Sequence, residues 1–139
     1  MNSKKSSIKR NSKKSSIKRN SKKSFGISTE LKNQLKKINL SPETYLKRAK
    51  RAASKTGYNP SLLTFSNDSI HKLNYNGVKF GRVGYGDFII WTHNEKNGIV
   101  PKGYANMKRN VFRTSHGLIK GNWKKNPESK NNLAINILW

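Results

Sequence analysis

Three histidines, His71, His93 and His116, stand about 22 residues apart, with Asp87 and Asn94 close by in sequence. Histidine and carboxylate together can hold a divalent ion while basic side chains hold a phosphodiester backbone, so metal-dependent cleavage of nucleic acid is one chemistry to weigh. The spacing matches no compact ligand motif, and a histidine at a strand end or near a helix C-terminus more often bonds locally. Paired carboxylates are no better represented, because Glu30, Glu43, Asp68, Asp87, Glu95 and Glu128 are scattered and form no candidate acid–base pair. Nucleophilic catalysis lacks a cysteine and a GxSxG elbow. A nuclease is therefore the third-ranked reading, a non-enzymatic protein is expected, and no pattern implies a cofactor or a metal.

A second chemistry is far better supplied. Asn2 to Arg10 reads NSKKSSIKR, Asn11 to Arg19 repeats it, and Asn20 to Ser24 begins a third copy. The repeat carries ten cations, Lys4, Lys5, Lys9, Arg10, Lys13, Lys14, Lys18, Arg19, Lys22 and Lys23, and no acid. Attraction to a polyanion is its evident capacity, and nucleic acid is the foremost candidate. The 139-residue chain carries +24. Taking ten cations from 30 leaves 20 basic against six acidic residues, so the remainder keeps +14. Abundant Lys and Asn suggest an AT-rich coding genome, but that bias would also raise Glu, which is scarce, so the imbalance needs a physical reason. Nucleic acid, an acidic membrane surface or an acidic protein would each suit it. Absent cysteine excludes disulfide frameworks and Cys-zinc fingers. The longest apolar run, Phe88 to Trp91, cannot span a bilayer, and a soluble, intracellular or packaged protein is expected.

The elements that must position these charges follow from periodicity. A nine-residue period places Ile8 and Ile17 on opposite sides of a helix, so the tail at 1–24 has no apolar face and is expected to be disordered when free. Residues 25–40 read as a linker or a short docking helix, with Leu31, Leu35 and Ile38 spaced helically behind Ser28. Ser41-Pro42-Glu43 is a stronger helix start, and the helix should run to Lys55 and stop at Gly57. Tyr45, Leu46, Ala49, Ala52 and Ala53 form its apolar side, the alanines implying close packing on a sheet. Lys47, Arg51 and Lys55 form a stripe at i, i+4 and i+8, flanked by Arg48 and Lys50. Solvation and phosphate contact would both turn this side outward. Lys47, Lys50, Arg51 and Lys55 are the nucleic-acid candidates outside the tail.

Ser61 to Ser66, Ile70 to Tyr75 and Val78 to Arg82 are β-rich, and Asn76-Gly77 is the preferred pair for a type I′ hairpin. A three-stranded antiparallel sheet is expected. Lys72, Tyr75, Lys79, Phe80, Arg82 and Tyr85 interleave charge with aromatics along it, suited to core packing first and to ligand contact second. The segment GRVGYGD, Gly81 to Asp87, fails the tests for a phosphate loop and reads as a glycine-rich turn or bulge that lets Tyr85 and Phe80 pack. Asp87 to Thr92 reads as a buried strand and Asn94 to Gly98 as a turn. A helix carrying Ala105, Met107, Val111 and Phe112 should follow Pro101 to Gly103, crowded by Lys108, Arg109 and Arg113 and ended by Gly117 and Gly121. The apolar C-terminus should dock on the core with Trp139 as a plug. The whole is an α+β domain at 41–139 with a basic tail.

From Ser41 to Trp139 the chain resembles a small basic domain family of nucleocytoplasmic large DNA viruses, including mimivirus-like giants. HKLNYNGVKFGRVGYGDFIIW, Arg113 followed by Ser115-His116, and NWKKNPESKNNLAINILW carry the resemblance. It implies a viral origin. Relatives usually set the Arg and His side by side, whereas Thr114 and Ser115 intervene here, so no active site is carried over. The expected function is sequence-indifferent nucleic-acid binding or genome packaging, in the virion and in host cytoplasm or nucleus. The alternative is a minor virion structural protein whose domain docks on capsid or core proteins.

Overall fold

The computed structural model describes residues 26–139, so the expectations for the repeat at 1–24 lie outside the described residues. Two serines set the first helices. Ser28 Oγ accepts from Leu31 N at 3.1 Å and opens α1 (Thr29–Lys36). Ser41 Oγ accepts from Thr44 N at 3.1 Å and opens α2 (Pro42–Lys55), with Pro42 at the first position. Each cap satisfies an amide that the first turn leaves without a partner. Helix α1 docks rather than tethers, since Leu31, Leu35 and Leu40 are buried in the same core as α2. Tyr45, Ala49 and Ala53 form the buried side of α2. The small alanines let it lie close, chiefly against the C-terminal turn and only secondarily against β1, rather than across a broad sheet face.

The sheet has β1 (Leu63–Phe65), β2 (His71–Tyr75) and β3 (Val78–Arg82) in that order, all antiparallel. Leu73 is paired with Phe65 on one side and Phe80 on the other. All three are buried, which anchors the register, because a one-residue slip would turn them outward. Asn76 and Gly77 have φ of 50° and 92°, the two left-handed positions a type I′ turn requires.

The run after the sheet departs from expectation. Residues 88–96 are not a strand but helix α3 (Phe88–Lys96). Asp87 is its cap, accepting from Ile90 N at 2.9 Å, and the first turn is closed by Trp91 N on Asp87 O at 2.8 Å. A four-residue apolar run fits either period, and the capping aspartate decides it. Asn94 and Glu95, expected in a turn, are helical. The chain turns after Asn97, with Ile99 N bonding back to Asn94 O at 2.8 Å. Tyr85, expected to pack, is 66% exposed. Lys72, placed by alternation among the hairpin's charged residues, is buried.

Helix α4 (Tyr104–Gly117) packs against α3. A 3₁₀ turn at Asn122–Lys125 precedes the short α5 (Lys130–Leu133), which runs into a π-helical turn at Ala134–Leu138. Leu133, Ile137, Leu138 and Trp139 are buried in the core formed by α1, α2, α3 and the sheet. The C-terminal docking expected from the sequence is therefore present. It is also what joins the helical and sheet halves, for this segment touches α2, α4 and β3.

Candidate nucleic-acid interface

On α2, Lys47, Arg51 and Lys55 are exposed, and Arg48 and Lys50 are half-buried. Packing against α3, α4 and the C-terminal turn divides them. Arg48, Arg51 and Lys55, at i, i+3 and i+7, line a cleft of about 240 Å³ whose opposite side carries Arg109 of α4. Lys47 and Lys50 point elsewhere and do not line it. Arg109 is fixed there by cation–π contact, its guanidinium carbon 3.9 Å from the Phe88 ring centroid, and by donating from Nε to the Trp139 backbone oxygen. Burial, with Arg113's charge beside it, lowers its pKa from the ordinary arginine value, although guanidinium stays protonated at neutral pH. Among the described residues, no Asp or Glu lines this cleft. Four cations thus converge where the sequence offered two separate basic segments. The crowding of Lys108, Arg109 and Arg113 was visible in the sequence, but only the docking of the C-terminal turn brings Arg109 across from α2.

The carboxylates explain why so little of the positive charge is neutralised. Asp87 caps α3 and pairs with Lys72, while Glu95 Oε1 accepts from Ala105 N at 3.0 Å and ties α3 to α4. Glu30 and Glu43 sit in the first turns of α1 and α2, where helix dipoles favour acids. Glu128 accepts from Asn76 across the hairpin tip at 3.2 Å. Asp68 takes backbone N–H bonds from Ile70 and His71 at 3.1 and 2.8 Å, and faces His71 Nδ1 at 2.9 Å and Lys79 Nζ at 3.4 Å. The His71 backbone bond, then its ring, hold the Asp68 carboxyl well below the usual carboxylate range. Every acid serves a local structural purpose. Among the lysines and arginines of the described residues, only Lys72 and Lys79 pair with one.

The glycine-rich segment belongs to a buried network. Lys72 Nζ donates to Asp87 Oδ2 at 2.9 Å and to Tyr85 O at 2.5 Å, and Tyr45 Oη donates to the same carboxylate oxygen at 2.5 Å. Burial first, and then the Asp87 charge, raise the Tyr45 phenol well above its ordinary value. Lys72 and Asp87 are thus committed to each other, which removes both from the candidate ligand contacts.

The histidines are each engaged locally. His71 faces Asp68, His93 Nε2 lies 2.7 Å from Ile38 O, and His116 stacks on Phe112 at 3.6 Å between centroids. Among the described residues, no three His, Asp or Glu side chains gather to hold a metal ion. His71, Asp87, His93 and His116 are therefore not brought into one cluster. No described helix is long and apolar enough to cross a membrane. No protein family, curated protein or solved structure matches the chain in sequence or fold.

Proposed function

We propose that this chain is a non-enzymatic, sequence-indifferent nucleic-acid-binding protein that packages the genome of a large DNA virus, the viral setting resting on the resemblance over Ser41 to Trp139. The cleft shared by Arg48, Arg51, Lys55 and Arg109 carries this reading. Four like charges around one concavity repel one another unless an anion neutralises them, and arginine's planar fork matches phosphate oxygens. Phosphate contacts position a protein on nucleic acid without reading sequence. The cationic repeat at 1–24 adds a second set of phosphate partners.

Replacing Arg48, Arg51 and Lys55 together with alanine tests the face in the full chain. Binding to duplex DNA should weaken, and the log–log salt slope should fall by up to about 2.7, because each neutralised phosphate contributes about 0.9. Affinity and slope equal to the parent's would overturn the assignment. The exposed apolar residues Met107, Val111, Leu118 and Ile119 favour a second reading, a minor virion structural protein docked on shell proteins. Disrupted virions separate the two: release with DNA supports packaging, and retention on nuclease-treated, salt-washed shells supports the structural role.

A further inference from the structure

A larger cleft, about 600 Å³, opens between the glycine-rich loop and α4. One wall is aromatic. Phe112 lies between His116 and Trp139, with centroid distances of 3.6 and 4.5 Å and interplanar angles of 17° and 11°. Trp91 lines the same space and meets Tyr104 edge-on at 5.1 Å. The glycine-rich loop forms a second wall, backbone at Gly81, Gly84 and Gly86 from which Tyr85 projects, and it meets the aromatic one where the Trp91 indole covers Gly86. That wall is held from beneath: Gln34 accepts from Gly84 N at 2.8 Å and donates to Tyr85 O at 3.0 Å, and Lys72 bonds the same carbonyl. A side chain at Gly81 or Gly86 would not fit, its Cβ falling 2.7 Å from Leu138 Cδ1 or 2.6 Å from Trp91 Nε1. Arg82 and Lys108 supply positive charge to the lining, and its one carboxylate, Asp87, is neutralised by Lys72.

We propose that this cleft receives one unpaired nucleobase with its attached phosphate, an inference that rests on the nucleic-acid reading and names the form of nucleic acid preferred. Its volume lies in the range of small-ligand sites, and Tyr85 and Trp91 in its lining, with the two cations Arg82 and Lys108, suit a flat π-face bearing an anion. Tyr85 is 66% exposed beside this lining, available to close over a base from the loop side. A base held within a duplex cannot enter, since its faces are already stacked. The cleft therefore selects single strands, while the α2–Arg109 face serves either form.

Tryptophan fluorescence of the full chain tests this, because Trp91 and Trp139 both line the cleft. The probes are a short oligothymidylate, an abasic strand of equal length, a duplex and thymidine monophosphate. Oligothymidylate should quench, and the abasic strand and duplex should not. Quenching by the monophosphate as well would assign the cleft to free nucleotides and strands alike; quenching by the oligonucleotide alone would assign it to strands. Tyr85→Ala and Val111→Trp alter exposed positions, the second filling the cleft. Each should lower oligothymidylate affinity by about fivefold or more while duplex affinity stays at the parent value. Quenching by neither thymidine probe, equal quenching by the abasic strand, or undiminished oligothymidylate affinity in Val111→Trp would overturn the proposal. Loss of duplex and abasic-strand binding with base-dependent quenching retained would instead remove the packaging function and leave the cleft assigned.

Discussion

Lys72 shows how a side chain that reads as surface charge becomes part of the core. Its ammonium is enclosed with the Asp87 carboxylate and the Tyr45 hydroxyl, and the pair persists because its lone pairs and protons are met by Ile90 N, Tyr85 O and Tyr45. Removing one member of a buried pair strands the other. Lys72→Met, close in volume, should therefore cost about 3 to 5 kcal/mol in urea unfolding. Tyr45→Phe, which deletes one hydrogen bond and leaves the ion pair, should cost less, about 1 to 3 kcal/mol. A Lys72→Met loss smaller than that of Tyr45→Phe would show the pair is not what holds this region. Asp68 adds a pH dependence of defined sign. Its folded carboxyl is depressed below its ordinary value, so its contribution is present above the unfolded value and is lost as pH falls through the folded one. The parent should lose stability below about pH 4, and Asp68→Asn should flatten that acid limb. Parallel acid limbs for the two proteins would count against this role for Asp68.

Local chemistry made most elements readable before any packing was considered. Ser41-Pro42-Glu43, Asn76-Gly77 and the β-rich runs each specify their structure within a few residues, and the helix and hairpin form where those signals lie. Helix α3 was illegible for the complementary reason. FIIW is apolar in both periods, and Gly81, Gly84 and Gly86 suggested a break without showing that Asp87 would turn its side chain onto Ile90 N. Gly86 itself is needed because the α3 indole covers it. A Cβ there would lie 2.6 Å from Trp91 Nε1 and would push either the loop or the helix away. Gly86→Ala should destabilise by about 1 to 3 kcal/mol, the usual cost of overpacking, and should alter the Trp91 fluorescence environment. A variant as stable as the parent would place the indole elsewhere in solution. The same logic gives α1 its standing: Leu31 and Leu35 are at 1% and 0% exposure, a degree of burial that two leucines at i and i+4 permit but cannot specify without their partners.

Across the whole molecule, positive charge is divided between a repeat and a folded domain, and the two should add if both meet one phosphate backbone. The sequence made the sum legible, +24 with +14 after the repeat, and it marked Lys47, Lys50, Arg51 and Lys55 as one basic side of a helix. It could not separate them. The division comes from tertiary packing, which sets Arg51 and Lys55 opposite Arg109 and leaves Lys47 and Lys50 outside that cleft. Salt dependence measures the partition, because each contacted phosphate releases counterions and the slope counts contacts regardless of sequence. Replacing Lys4, Lys5, Lys13, Lys14, Lys22 and Lys23 with glutamine keeps the full chain and removes six tail charges, so the duplex-DNA slope should fall by up to about 5. Combined with alanine at Arg48, Arg51 and Lys55, the fall should approach the sum of the two separate losses. Alanine at Lys47 and Lys50 should move the slope less than alanine at Arg51 and Lys55. Should the two pairs prove equal, the cleft would have no privileged part in binding, and the domain would act as an undifferentiated positive surface. A combined loss no greater than that of the tail alone would mean that the repeat alone holds the DNA.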